Sequence, residues 1–161
     1  MNNSEIFLDT SALIPLLTPE HKNHKIVRRF VSGFKVFCID SVVLSEYLAG
    51  ISRGDMQKCA DVIKKQFQIC SLTPKGSHIA AVIYKICKEH GVIPTSKSEH
   101  QISRVDVYIL AVAIECKAST FLYEDKHFNL MAEALKKEKN LEFKLPVFQQ
   151  VNCIQQELFD I

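Results

Sequence analysis

Glycine and proline are scarce, at 5 each in 161 residues, which excludes collagen-like and low-complexity chains. Long apolar runs are also missing. Val105 to Ile114, among the longest, is interrupted by Asp106 and falls short of the roughly 20 residues that span a bilayer. The 6 cysteines form no CxxC pair, so a structural zinc site lacks its usual framework. There is no large excess of one charge: 20 Lys plus Arg against 18 Asp plus Glu leaves +2, too little to hold a polyanion by bulk attraction. The chain contains no GxxxxGK[ST] or GxGxxG loop and no GxSxG elbow, which removes support for nucleotide-binding loops and Ser-based triads.

What remains is an ordinary globular composition, 47% hydrophobic and 24% charged. A chain of this length is expected to make one domain, residues 1–161, with enough core to fold without disulfides. Cys38, Cys70, Cys87 and Cys116 lie in apolar-periodic segments, where cysteine behaves as a small hydrophobe. Met1-Asn2-Asn3-Ser4-Glu5 carries no basic leader, and the expected setting is cytoplasmic, with no membrane association.

Glu5 to Asp9 and Lys35 to Asp40 are short apolar runs that each end in an acid, and both read as buried strands. Helical spacing occupies Thr10 to Leu17 and Pro19 to Val31 between them. A helix capped by Ser41 is expected over Val42 to Ala49, another over Met56 to Phe67, and a third strand near Gln68 to Leu72. Pro74 opens a helix that stops near Gly91, Pro94 to Gln101 reads as a loop, and Arg104 to Cys116 is helical. Ser119 to Tyr123 reads as a fourth strand, Asn129 to Lys139 as a helix, and Phe143 to Phe148 as an edge strand because of Pro146.

Alternation of this kind predicts an α/β fold: three layers, α/β/α, around a mainly parallel sheet of four or five strands. Ligands of such sheets bind beyond the carboxyl ends of the strands. That rule selects Asp9 after the first strand and Asp125 after the fourth. Each has a plainer reading: Asp9 as a helix N-cap, Asp125 as a cap or turn residue. Glu46 read alone is a solvated helix face, and Asp106 a helix-dipole partner. The plain readings weaken when the four are taken together, because Glu46 and Asp106 lie on helices that must pack beside those strands.

The segments Phe7 to Ile14, Ser45-Glu46-Tyr47-Leu48, Val105 to Ala111 and Leu122 to Phe128, taken in order, resemble the PIN-domain family of metal-dependent ribonucleases. That family includes the toxin subunits of VapBC-type toxin–antitoxin pairs. The resemblance implies a PIN-like fold, with Asp9, Glu46, Asp106 and Asp125 as the metal-binding and catalytic acids and a hydroxyl of Thr10 or Ser11 beside them. Arg104, Lys126 and His127 flank the acids as candidate phosphate contacts, with surface solvation as the plainer reading. The chain departs from the family's pattern at Tyr123, where Ser or Thr is common, and at His127, where a further acid is common. The polar stretch from Gly91 to Ser103 is longer than usual and adds Glu99 and Ser103 as further candidates.

Two carboxylates about 4 Å apart repel by roughly 4 kcal/mol at an effective dielectric of 20, so four in one crevice call for a cation. All-oxygen ligands favour a hard ion, Mg²⁺ with Mn²⁺ as substitute. Such an ion polarises a phosphoryl oxygen, activates water and stabilises the leaving oxygen. In this reading Asp9 and Asp125 coordinate directly, Asp106 does so directly or through water, and Glu46 orients or deprotonates the attacking water. The expected activity is RNA phosphodiester hydrolysis, with an antitoxin protein as partner. The competing readings are a non-catalytic PIN-fold RNA-binding or scaffold protein and, ranked lower, a DNA flap nuclease. Apolar helices near Ile63 and Ile83 suit either a homodimer interface or the core. His21 with His24, and Cys87 with His90, lack partners for a ligand set.

Overall fold

The computed structural model describes residues 4–93 and 104–154. The expected loop at Pro94 to Gln101, and Glu99 and Ser103, lie outside the described residues. Five strands form one sheet: β1 (Glu5–Leu8), β2 (Val36–Asp40), β3 (Gln68–Cys70), β4 (Thr120–Tyr123) and β5 (Val147–Gln150). Their order is β3-β2-β1-β4-β5, and every neighbouring pair is parallel. The helices that connect them are α1 (Thr10–Leu17), α2 (His24–Val31), α3 (Ser41–Ala49), α4 (Met56–Gln66), α5 (Pro74–Glu89), α6 (Arg104–Glu115) and α7 (Lys126–Lys137).

β1 lies at the centre of the sheet, and Ile6, Phe7 and Leu8 have no exposed surface. A central parallel strand is covered on both faces, so its side chains are apolar without alternation. The same holds for β4, whose four residues Thr-Phe-Leu-Tyr are all buried. Phe121 packs edge-on against Phe128 of α7, with ring centroids 4.9 Å apart, and stacks with Tyr123 at 5.6 Å. This cluster clamps α7 to the sheet. Helix α6 carries seven buried residues out of twelve and packs against α5, β2 and α3.

Several boundaries differ from expectation. The cap of α3 is Asp40, whose carboxylate accepts from the Val42 N–H at 2.5 Å, and Ser41 is the first helical residue. Aspartate ends the strand and starts the helix in one step, a double use that the alternation pattern does not reveal. Residues 19–23 form turns and α2 begins only at His24. Helix α7 begins at Lys126, three residues earlier than Asn129, because Asp125 caps it. The edge strand starts after Pro146, at Val147, as a residue without an N–H allows. No helix among the described residues is long and apolar enough to cross a membrane. All six cysteines are free thiols, and Cys38, Cys70 and Cys87 are buried.

Candidate functional site

Asp9 follows the last residue of β1, and its N–H donates to the Leu122 carbonyl at 3.0 Å, extending the β1–β4 ladder by one bond. That bond fixes the acid beside the end of β4. Its carboxylate caps α1 by accepting from the Ser11 N–H at 3.0 Å, and also accepts from the Ser11 hydroxyl at 2.5 Å. Asp9 is only 6% exposed. Burial pushes its carboxyl above the usual range; the bonds from Ser11 work against this, and the nearby charge of Glu46 adds to it.

The Ser11 oxygen has a second task. It accepts from the Glu124 N–H at 2.9 Å, so one hydroxyl joins the Asp9 carboxylate to the turn between β4 and α7. Asp125 follows in that turn, half exposed, and caps α7 by accepting from the His127 N–H at 2.9 Å. The His127 ring lies beside it, Nδ1 3.4 Å from the same carboxylate oxygen. The neighbouring hydroxyl, on Thr10, donates to the carboxylate of Glu46, which reaches back from α3. Each of the two hydroxyls thus bonds to one of the expected acids, Thr10 to Glu46 and Ser11 to Asp9.

Asp106 occupies the first turn of α6 and is half-buried. Helix α6 leads directly into β4 and packs on β2 and α3, which sets this acid on the helix beside the one bearing Glu46. Thr10, the residue after Asp9, bonds to Glu46, and Ser11 joins Asp9 to the turn that bears Asp125, while Asp106 sits on α6, which packs against α3. Among the described residues, no three His, Cys, Asp or Glu side chains stand close enough together to grip an ion as they are. Of the flanking cations, Arg104 and Lys126 are exposed, and Arg104 lines an open groove with Leu72, Tyr84 and Tyr108.

Two acids escaped sequence reasoning. Asp40, 2% exposed, ends β2 as Asp9 follows β1; burial holds its carboxyl above the ordinary range, with a contribution from Glu46. The signal was present, since Lys35 to Asp40 repeats the pattern of Glu5 to Asp9. Glu124 is the other, and its carboxylate accepts from the buried Asn23 side chain at 3.1 Å. Nothing local marks that pairing. Tyr123, the departure from the family pattern, turns its ring into the Phe121 cluster and donates its hydroxyl to Asn129. Burial pushes that phenol up to about 12, so it stays a neutral donor at physiological pH. His21 and His24 serve local bonds, to the Asn23 N–H and the Pro15 carbonyl, and His90 meets Glu138 at 2.9 Å.

The donor set suits a hard divalent cation: carboxylate oxygens, hydroxyls beside them, and a buried acid, Asp9, whose carboxylate is held by Ser11. A cation here would relieve the desolvation cost that lifts the Asp9 pKa.

The model of the PIN domain family matches residues 6–134. No curated protein matches the chain by sequence. Among solved structures, VapBC2 from Rickettsia felis bound to a promoter DNA fragment aligns with a TM-score of 0.62 at 15% identity, covering 91% of this chain and 98% of that one. VapBC-1 from nontypeable Haemophilus influenzae gives 0.66 at 13% identity, covering 92% and 98%. Mycobacterium tuberculosis VapC20, a sarcin–ricin loop cleaving toxin, gives 0.56 at 19% identity, covering 77% and 92%. At these identities the likeness is one of fold.

Proposed function

The chain belongs to the PIN domain family, and on that premise we propose that it is a divalent-metal-dependent endoribonuclease, the toxin component of a toxin–antitoxin pair. The observation that carries this reading is the pair of adjacent hydroxyls, Thr10 and Ser11, which tie Asp9, Glu46 and the Asp125 turn together at the carboxyl edge of the sheet. An acid buried there without a functional reason would be a standing cost to the fold. Perturbed carboxylates in a crevice are where chemistry is expected.

Asp9, Asp106 and Asp125 would hold the ion, Mg²⁺ with Mn²⁺ as alternative. When bound, it supplies charge neutralisation and activates water for attack at phosphorus. The protein's own side chains do the rest. Thr10 keeps the Glu46 carboxylate facing the site, in position to orient or accept a proton from the attacking water. Ser11 holds the Asp9 oxygen in a fixed rotamer. Lys126, His127 and Arg104 contact backbone phosphates of the RNA, which position the strand without reading its sequence.

The partner reading rests on the neighbours, two of which are VapBC assemblies and one a toxin that cleaves the sarcin–ricin loop. The small net charge of +2 fits a nuclease that is selective about its RNA. Residues 1–161 act as one domain in this account, in the cytoplasm. A second reading, a non-catalytic RNA-binding scaffold, is favoured by one observation: no three candidate ligands among the described residues converge tightly.

One assay separates them. Single-stranded RNA is incubated with the full chain in Mg²⁺, in EDTA, and with the Asp9→Asn variant. The nuclease reading expects cleavage in Mg²⁺ alone, lost with EDTA and with Asp9→Asn. RNA that is bound yet uncut in all three supports the scaffold, and cutting by Asp9→Asn at the wild-type rate sinks the assignment of Asp9.

A further inference from the structure

Glu124 is gripped at all three of its polar functions by three different parts of the chain. Its N–H donates to Ser11 Oγ at 2.9 Å, from α1. Its carbonyl accepts from Gln150 Nε2 at 3.0 Å, from the end of β5. Its carboxylate Oε1 accepts from Asn23 Nδ2 at 3.1 Å, from the residue that precedes α2. Asn23 is 1% exposed, so its side-chain amide has little access to water as a substitute partner. Behind this clasp stands a second set of bonds: Tyr123 donates to Asn129, Asn129 Nδ2 donates to Gln150 Oε1 at 2.8 Å, and Gln150 pairs with Tyr123 across the β4–β5 ladder.

We propose that Glu124 is a positioning residue for the metal-binding acids: a three-way clasp that sets the turn bearing Asp125 against Asp9, without itself touching the ion. The inference rests on the metal-dependent reading above and deepens it. Its physical content is preorganisation. Asp125 is half exposed, and its carboxylate accepts from the His127 N–H within its own turn. The bond from Asp9 to Leu122 sets Asp9 beside the end of β4, and beyond that end the turn is tied by the residue before Asp125, through Ser11 on one side and Gln150 on the other. The Asn23 bond fixes the side chain of that residue, and with it the connection between α1 and α2. Groups that orient metal ligands without ligating typically contribute 10–100-fold to metal affinity.

The clasp makes different demands on three substitutions. Glu124→Gln keeps a carbonyl oxygen for Asn23 and loses only the charge. Glu124→Ala leaves the buried Asn23 amide without this acceptor. Gln150→Leu keeps Glu124 but releases its carbonyl, and serves if the alanine variant folds poorly. Calorimetric titration of each full-length, metal-free variant with Mn²⁺ is paired with circular dichroism and RNA cleavage across Mn²⁺ concentrations.

The expected result is Mn²⁺ binding about tenfold weaker for Glu124→Ala and Gln150→Leu, with Glu124→Gln within about twofold of wild type. Cleavage by the weakened variants recovers at saturating Mn²⁺. If Glu124→Gln falls as far as Glu124→Ala, the carboxylate charge acts on the ion directly and positioning is wrong. If all variants bind Mn²⁺ like wild type while their melting temperatures fall, the clasp is merely structural and the proposal is overturned. A wild-type chain that binds no Mn²⁺ overturns the metal-dependent reading and this inference with it; wild-type binding matched by Glu124→Ala overturns this inference alone.

Discussion

Replacing Ser11 with alanine removes one oxygen and two bonds. The first is the donation to the Asp9 carboxylate at 2.5 Å, a charge-assisted bond of the kind that contributes about 1.5–3 kcal/mol. The second is the acceptance from the Glu124 N–H at 2.9 Å. Its loss leaves a part-buried backbone donor unpaired, at a cost of about 1–3 kcal/mol where water cannot enter. Ser11 is itself only half-buried, so water recovers part of both terms. Alanine also regains about 0.5 kcal/mol of helix propensity in α1. The Ser11 N–H still caps the helix on Asp9, because the substitution leaves the backbone in place. The net loss is about 2 kcal/mol, which for a chain of this size lowers the melting temperature by about 4–8 °C.

Urea unfolding followed by circular dichroism measures that loss, with an unchanged slope showing that the unfolded state is not altered. Ser45→Ala, at an exposed position of α3, reports the propensity gain alone. If the hydroxyl bridges Asp9 and the Asp125 turn as described, Ser11→Ala also weakens Mn²⁺ binding. A Ser11→Ala protein within 0.5 kcal/mol of wild type and with undiminished Mn²⁺ affinity refutes the bridge.

Three further outcomes follow from the same geometry. Because burial raises the Asp9 pKa, the folded chain holds that proton more tightly than the unfolded one. The stability this confers is complete below the unfolded value of about 3.9 and is lost as pH rises through the higher folded value. Asp9→Asn escapes that loss, so in metal-free buffer its urea midpoint gains on wild type between pH 4 and pH 8; a constant or shrinking margin contradicts the burial argument. Asp125→Asn retains an N-cap oxygen for α7 and leaves the melting temperature nearly unchanged, while Mg²⁺-dependent RNA cleavage falls by more than about 100-fold; equal cleavage removes Asp125 from the site. Phe128→Ala empties the edge-on contact with Phe121 and costs about 3–5 kcal/mol in urea unfolding, whereas Tyr123→Phe loses only the bond to Asn129, about 1 kcal/mol.

The parallel sheet was legible because its strands announce themselves. Glu5 to Leu8 and Thr120 to Tyr123 are short apolar runs in a helical background, and Asp9 and Asp125 follow them where topology puts ligand-binding groups. Asp40 carries the same signature as Asp9, but Ser41, an equally good capping residue by type, follows it and hides its role in the sequence. Boundaries set by caps moved by one to three residues for the same reason: whether an aspartate ends a strand or begins a helix is decided by its backbone, not by its neighbours' hydropathy.

The links among the acids were not legible. The bond from Asn23 to Glu124 spans 101 positions, and that from Ser11 to Glu124 spans 113. No periodicity encodes such pairs. They arise only once β1 and β4 lie side by side and the turns beyond them meet. The role of Tyr123 was hidden likewise, since its hydroxyl finds Asn129 only after the ring has entered the Phe121 cluster.

The central claim is that side chains from four separate segments meet around one divalent cation. Substoichiometric Mn²⁺ added to ¹⁵N-labelled protein broadens the NMR signals of amides near the ion, and so tests that claim without reference to activity. The account predicts joint, Mg²⁺-reversible broadening at Asp9, Glu46, Asp106 and Asp125, with the sheet's opposite edge, around Ser119 and Glu142, left sharp. Broadening confined to one of the four, or centred away from the carboxyl ends of β1 and β4, would contradict it.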